Sequence, residues 1–351
     1  MPKIKFKAMQ EKSIENQQPK YVKEEGENTE KCNSSEKNYI NKELKECRAC
    51  VDTFALKIEN DNLIDTRVLK EEEKWQLGDW SKAINYRRSC QKSQEVYLVC
   101  KLHSLYKEEN GIEHYVKSFN SHAQLYKCLM NEIGVKDQSK IDICRRDICI
   151  DFGFKFSKKA NFKKSLFFFC LLTVGSEVGK KWICTSLENL DYNAIALKTS
   201  KFQISFYDKE LESQGKSKYK TRYEFRYLAR RGNDWNKTFK DLIKKFEELP
   251  DKVDDVNKNM IEMLIKHYDK KKAINYIDDF TDFIKQYEPF IFNREILFAL
   301  YKHAGLKGSF NNWLMNFRKR RELILYSNRE MVSRFGIAED CKRAIKEYIR
   351  A

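Results

Sequence analysis

The sequence predicts an α+β protein, an antiparallel-sheet domain followed by an all-helical one. Three observations predict it. Between residues 45 and 232, apolar and polar residues alternate in short runs, the period of half-buried strands. From residue 233 onward the apolar residues recur every three or four positions, the period of amphipathic helices. The chain of 351 residues is 41% hydrophobic and 34% charged, enough of both for a soluble core and long enough for two domains and a loose terminus.

Taken in order, residues 1–44 are rich in Lys, Glu, Asn and Gln with little apolar content, and read as a flexible arm. Val51 to Ile58 alternates as a strand, and Asp61-Asn62 would turn the chain after it. A mixed, polar stretch follows to about residue 93, then a second strand from Glu95 to Leu102. Leu125, Leu129 and Ile133 place a helix over Ser121 to Ile133, which Gly134 would end. Ile141 to Phe156 is a strong strand signal. Phe162 to Thr173 is an apolar run, buried as helix or strand. Trp182–Cys184, Ala194–Leu197, Phe202–Tyr207 and Thr221–Leu228 read as further strands, with a loop over Lys209–Lys218. Beyond Trp235, Phe239, Leu242, Ile243 and Phe246 share a helix face, and Pro250 ends that helix. Further helices follow around Met260–Tyr268, Ile274–Phe283, Phe292–His303, Phe310–Leu325 and Ala338–Ile349. The short turn around Gly305 and Gly308 fits either a helix-turn-helix unit or an ordinary helical hairpin.

Charge narrows the partners. Lys plus Arg is 68 against 52 for Asp plus Glu, a net +16, so a polyanion such as nucleic acid is the first expectation and a membrane surface the second. No apolar run reaches 18 residues, and Met1 to Gln10 lacks the apolar core of a secretory signal, so a cytoplasmic protein without a membrane span is expected. The 11 cysteines are read as reduced thiols, with Cys144, Cys149, Cys170 and Cys184 in apolar runs. Cys47 and Cys50 form the one Cys-x-x-Cys, but a zinc ribbon needs a second pair or a nearby His pair, so they read as ordinary thiols. The five histidines make no His-x-His or His-x-x-x-His. A bound metal would fall to carboxylates, which favours Mg2+ or Mn2+.

The stretch Arg145-Arg146-Asp147-Ile148-Cys149-Ile150-Asp151 carries the most chemistry. Strand alternation puts Asp147, Cys149 and Asp151 on one face, with Ile148, Ile150 and Phe152 on the other. Two carboxylates side by side call for a cation, either the arginines or a divalent metal. Tyr207 and Lys209 would share a face at the end of a strand, where the ammonium favours the phenolate. In Arg222-Tyr223-Glu224-Phe225-Arg226 the charged residues share one face and could grip a phosphate. Carboxylates, a Tyr-Lys pair and a row of arginines on one sheet fit metal-assisted transesterification at a DNA phosphate. Strands with a solvated charged face would give the same pattern without that function. The basic run Arg318 to Arg321 adds a candidate phosphate contact.

These residues resemble the replication initiation factors of plasmids and filamentous phages. Arg146-Asp147-Ile148-Cys149-Ile150-Asp151 resembles the family's Arg-hydrophobic-Asp strand, with the arginine one place nearer the first Asp. Ala194 to Glu212, with Phe206-Tyr207-Asp208-Lys209, resembles its hairpin ending in Tyr-acid-Lys, although Lys198-Thr199 stands where a Gly-rich turn is usual. Arg222 to Arg226 resembles the Arg-aromatic-Glu strand that follows, and Val51-Asp52-Thr53-Phe54 the opening strand. The resemblance covers about residues 50–230 in patches.

It implies a rolling-circle initiator that nicks one strand of origin DNA with a tyrosine, stays joined to the 5′ phosphate, and uses a divalent metal without a nucleotide cofactor. Asp52, Asp147 and Asp151 would be metal ligands. Tyr207 would be the nucleophile, Lys209 its electrostatic helper, and Glu224 a ligand or orienting group. Arg145, Arg146, Arg222 and Arg226 would meet DNA from the sheet; Arg318, Arg320 and Arg321, outside the resemblance, are DNA contacts expected from their charge alone. Tyr192, Tyr223 and Tyr227 are rival nucleophiles. The expected partners are double-stranded origin DNA and the single-stranded nick site, with a host helicase as a further candidate; the oligomeric state stays open, a homodimer being one option. The main alternative is a DNA-binding protein for plasmid replication or copy control that does not cut.

Overall fold

The computed structural model describes residues 46–64, 83–90, 94–106, 116–156, 160–174, 194–198, 201–228, 234–273, 280–320, 325 and 336–351. Among the described residues, seven strands form one sheet: β1 (Cys47–Glu59), β2 (Ile84–Cys90), β3 (Glu95–Cys100), β4 (Asp142–Phe152), β5 (Ala194–Lys198), β6 (Phe202–Asp208) and β7 (Thr221–Leu228). Their order is β2-β3-β1-β4-β7-β6-β5, and every neighbouring pair is antiparallel. The helices are α1 (Phe119–Ile133), α2 (Ala160–Val174), the short α3 (Lys209–Glu212), α4 (Trp235–Glu247), α5 (Val253–Ala273), α6 (Phe280–Tyr287), α7 (Arg294–His303), α8 (Phe310–Arg320) and α9 (Ile337–Arg350). An α+β fold with a largely helical C-terminal half is therefore present.

Alternation separates the two faces of the sheet. Ile148, Ile150 and Phe152 on β4, Tyr223, Phe225 and Tyr227 on β7, and Phe202, Ile204 and Phe206 on β6 are all buried on one side. Helices cover that side. Phe169 of α2 meets Phe206 and Tyr223 at ring-centroid distances of 5.8 Å each. Trp235 of α4 meets Phe54 of β1 at 6.2 Å. Tyr348 of α9 lies 6.4 Å from Phe119 and 6.1 Å from Phe239 and accepts a hydrogen bond from the Val51 amide.

Local chemistry sets where the helices begin and end. Ser118 caps α1 by accepting from the Ser121 amide, and Gly134 closes it at φ 77°, a left-handed conformation that glycine enters without strain. Asp234 caps α4 by accepting from the Lys237 amide. Ile337, Cys341, Ala344, Ile345 and Tyr348 form a continuous buried stripe on α9.

The apolar run at 162–173 is a helix. α2 lies between the sheet and the C-terminal segment, where Phe167 meets Phe290 at 5.0 Å and Phe168 meets Phe292 at 4.8 Å. A helix enclosed on all sides is apolar all round, which hides its period. Two further points differ from the sequence reading. The polar stretch before residue 93 contains β2, an edge strand. Lys209–Glu212 is a helical turn, capped by Asp208 accepting from the Leu211 amide, where a loop was expected. The region from 233 onward shares a core with the sheet through α4 and α9, and all described residues fall in one compact unit. The strand expected at Trp182–Cys184, the arm at 1–44 and Ile274 and Ile277 lie outside the described residues.

Phe169 fills the space between α2, α4 and the sheet. Truncation by Phe169→Ala should lower unfolding free energy by about 3–5 kcal/mol, read from the midpoint of a urea titration with an unchanged slope.

Candidate functional site

The face of the sheet opposite the helices is charged and largely closed to solvent. Asp151 and Arg222 stand opposite each other on β4 and β7, as do Cys149 and Glu224, and Asp147 and Arg226. On β6, Tyr207 is the partner of Arg222, Ser205 of Glu224 and Gln203 of Arg226. On β1, Arg48 pairs with Asp151 and Cys50 with Cys149. The register then shifts between Val51 and Phe54, so that Asp52 and Thr53 together oppose Asp147. This bulge turns Asp52 to the charged face and Phe54 to the aromatic one, although the two are separated by a single residue.

Arg222 is the centre of the arrangement, and only 2% of it is exposed. Its Nε and Nη2 donate to the two oxygens of Asp151 at 2.6 and 3.0 Å, and its Nη1 donates to Asp52 Oδ1 at 2.8 Å. Arg48 Nη2 also donates to Asp151 Oδ2 at 3.2 Å. Thr53 donates to Asp52, and His103 Nε2 lies 3.9 Å from it. A second group adjoins the first. Arg145 donates to Asp147; Arg226 Nε donates to Asp147 at 3.0 Å and its Nη2 to Glu224 Oε1 at 2.6 Å. The Tyr207 hydroxyl donates to Glu224 Oε2 at 3.4 Å.

The two groups differ in their ionisation. Burial opposes the charged forms of Asp52 and Asp151, but Arg222 overrides it, and both carboxyls lie below their usual range. Asp147 and Glu224 go the other way. Burial raises Asp147 despite Arg145 and Arg226, and raises Glu224 with help from the Asp147 charge. Burial also pushes the Tyr207 phenol well up, with Arg222 pulling against it. The ionised side of the face is therefore the Asp52–Arg222–Asp151 side. On the other side, burial favours the neutral forms of Tyr207, Glu224 and Asp147 more than a solvated site would.

Several expectations change on this geometry. Asp52, Asp147 and Asp151 share the face but do not form a ligand set for a divalent cation. Asp52 and Asp151 are saturated by a buried arginine, Asp147 by two others, and no group of three or more His, Cys, Asp or Glu among the described residues is placed to hold a metal. Four carboxylates meet the guanidiniums of Arg48, Arg145, Arg222 and Arg226, so the charge a metal would balance is already balanced. Lys209 does not continue the strand with Tyr207. The chain turns into α3 there, and Lys209 Nζ lies 2.6 Å from Glu212, in the field of Asp151.

Arg146 falls on the opposite face, buried against the Trp235 ring at 5.4 Å and donating to the Ile143 carbonyl. Arg222 is held too deep to meet a phosphate, while Arg145 and Arg226 keep 24% and 22% of their side chains exposed. Of the rival tyrosines, Tyr223 and Tyr227 sit in the aromatic core, and Tyr192 lies outside the described residues. Arg318 and Arg320 belong to the last turn of α8, and Arg321 lies outside the described residues. Cys47 and Cys50 are free thiols.

Two participants escaped the sequence reading. Arg48 could have been found, because it shares the period-two face of Cys50 and Asp52. His103 could not, because it arrives from a separate turn after β3.

No family model matches the chain, and no curated protein matches it. A solved structure, that of the rolling-circle replication initiator protein from Geobacillus stearothermophilus, aligns with 53% of this chain and 76% of its own, at 13% identity and a TM-score of 0.28. No helix among the described residues is long and apolar enough to cross a membrane.

Removing the central cation should be costly. Arg222→Ala removes the hydrogen-bonded ion pair of Asp52 and leaves Asp151 with Arg48 and the more distant Lys209, and should destabilise the fold by about 3–5 kcal/mol near neutral pH. Both carboxyls are depressed in the folded protein. Their contribution is therefore fully present above the ordinary Asp range and is lost as pH falls through the depressed values. The gap between wild type and variant, measured by urea unfolding across pH, should narrow in strong acid.

Proposed function

We propose that the chain initiates rolling-circle replication of a plasmid or phage by cutting one strand of origin DNA, with Tyr207 as the nucleophile. One observation carries this reading. Residues from β1, β4, β6 and β7, scattered from Arg48 to Arg226, converge on a single face where the Tyr207 hydroxyl is hydrogen-bonded to a buried carboxylate. Buried charge is costly, and its concentration beside a nucleophile is what a catalytic site requires.

In this mechanism Glu224 Oε2 takes the Tyr207 proton as the phenol oxygen attacks phosphorus. The new bond joins Tyr207 Oη to the 5′ phosphate. The bond to the 3′ oxygen breaks, and that oxygen leaves as a hydroxyl after taking a proton from water. Burial, by raising Glu224, makes it the stronger base, and its contact with the hydroxyl tightens when substrate is bound. Arg226 and Arg145 are the partly exposed cations beside Glu224 and Asp147, suited to the non-bridging oxygens. Arg222 holds the strands in register and lowers the cost of phenolate character. No step is routed through a metal ion.

The partners that go with this reading are duplex origin DNA, its single-stranded nick site, a host helicase and a second copy of the chain, in the cytoplasm. A second reading, DNA binding for replication or copy control without cutting, is favoured by the upward shift of the Tyr207 phenol.

Incubation with a labelled single-stranded oligonucleotide carrying the origin nick site, read on a denaturing gel, separates the two readings. Wild type should form a covalent adduct in EDTA as well as with magnesium or manganese. Tyr207→Phe should abolish the adduct while binding stays nearly intact. Wild type without an adduct under all three conditions supports the non-cutting reading, and an adduct that survives Tyr207→Phe removes Tyr207 as nucleophile.

Glu224→Gln should slow adduct formation by about 10²–10⁴-fold. The wild-type rate should rise with pH as Glu224 loses its proton, above the usual Glu range because burial has raised it. The variant's profile should lack that rising limb. A wild-type rate that falls with pH over that interval would remove Glu224 as the base.

A further inference from the structure

We propose that α8 reads the sequence of duplex DNA from the major groove, through Asn312, Met315 and Asn316; this rests on DNA being the partner, as proposed above. Helix α7 is followed by the turn Ala304–Ser309 and then α8. Gly305 at φ 68° and Gly308 at φ 109° supply the left-handed residues of that turn. Ser309 caps α8, its hydroxyl accepting from the Asn312 amide at 3.5 Å. The two helices are held by Phe298 on Phe310 at 5.1 Å, Tyr301 on Phe310 at 5.3 Å and Tyr301 on Trp313 at 5.5 Å. Phe280 of α6 packs on Trp313 at 5.3 Å, completing a three-helix unit. This is the way a reading helix is supported in helix-turn-helix proteins.

The outer face of α8 has the chemistry of a base reader. Phe310, Leu314 and Phe317 point inward and are buried. Asn312, Met315 and Asn316 are exposed and fall within about one quadrant of the helix, at 100° per residue. A carboxamide matches the donor and acceptor edge of adenine bidentately, and an apolar side chain matches the thymine methyl. Met315 is 56% exposed, a large apolar surface with no internal role.

Charge selects the partner. From Ala304 to Arg320 there is no acidic residue, while Lys307, Arg318, Lys319 and Arg320 are basic. Lys302, at the end of α7, and Lys307, in the turn, are both exposed beside the helix. A protein partner would use the same exposed apolar groups, Phe298, Leu306 and Met315. It would not call for exposed asparagines, Asn312 and Asn316, in an acid-free, basic segment. Phosphate contacts by the lysines would set position, and the α8 side chains would set sequence.

The test uses the full chain and a pool of random duplexes, with the bound fraction amplified and sequenced. Wild type should enrich a motif containing A·T pairs. The double variant Asn312→Ala/Asn316→Ala should lose about 5- to 150-fold in preference for that motif per contact, with unchanged affinity for unrelated duplex and an unchanged salt slope. Lys307→Ala should weaken binding to all duplexes alike and reduce the salt slope by about one. Asn316→Arg should shift one motif position toward guanine, a gain that misfolding could not produce.

A wild type that enriches no motif, or a double variant that keeps the wild-type preference, would overturn the proposal, the latter transferring the surface to a protein partner. Adduct formation on single-stranded oligonucleotide is scored separately. If it is absent while Asn-dependent duplex preference is present, the cutting reading fails and the role of α8 stands. The reverse pattern sinks α8 alone.

Discussion

The structure depends on the buried guanidinium of Arg222. It sits on β7 and reaches both Asp151 on the adjacent strand and Asp52 one strand further on, so a single side chain ties three strands together. Taking these charges out of water is expensive, and only full pairing with good geometry offsets it. The same requirement specifies the register. A slip of one residue in β7 would carry Arg222 to the aromatic face and Tyr223 to the charged one, which neither side could absorb. A planar, forked cation is needed for this, and lysine could not reproduce three directed hydrogen bonds.

The bulge at Asp52-Thr53 serves the same end. A regular strand would place Asp52 and Phe54 on one face. With an extra residue opposite Asp147, β1 contributes a carboxylate to the ion-pair face and a phenyl ring to the helical layer within three residues. The consequence reaches the candidate chemistry. Asp52 draws on Arg222, leaving Glu224 with Arg226 and Tyr207. Burial acts on both members of that Tyr–Glu pair in the same sense, raising the phenol and the carboxyl together. In the proposed reaction, the proton that must move lies on this Tyr207–Glu224 hydrogen bond.

The aromatic layer on the other face connects this site to the C-terminal helices. α2 packs on β6 and β7 through Phe169 and meets the segment before α7 through Phe167 and Phe168. α9, from the end of the chain, returns to β1. The three-helix unit of α6, α7 and α8 is therefore anchored to the same core that supports the charged face. The helix proposed to read duplex DNA and the face proposed to cut one strand thus belong to one continuous core.

The sequence by itself determined the α+β class, the strand faces of β4, β6 and β7, and the amphipathic C-terminal helices, because these follow from periods of 2 and 3.6 residues that need no knowledge of neighbours. By the same rule Asp147 and Asp151 share a face, and Arg146, two residues from Ile148, falls on the core side. The edge strand β2 gave little signal because Ile84–Cys90 carries Asn and two Arg among its seven residues. The apolar run of α2 could be classed only once its neighbours on all sides were present. Lys209 parted from Tyr207 because a cap at Asp208 ended the alternation. Only the tertiary structure decided which acid meets which arginine. Asp52 and Arg222 are 170 residues apart in sequence and meet only because β4 lies between their strands. Strand order is a property of the whole sheet, and so is the choice between a metal and a guanidinium as the counter-charge.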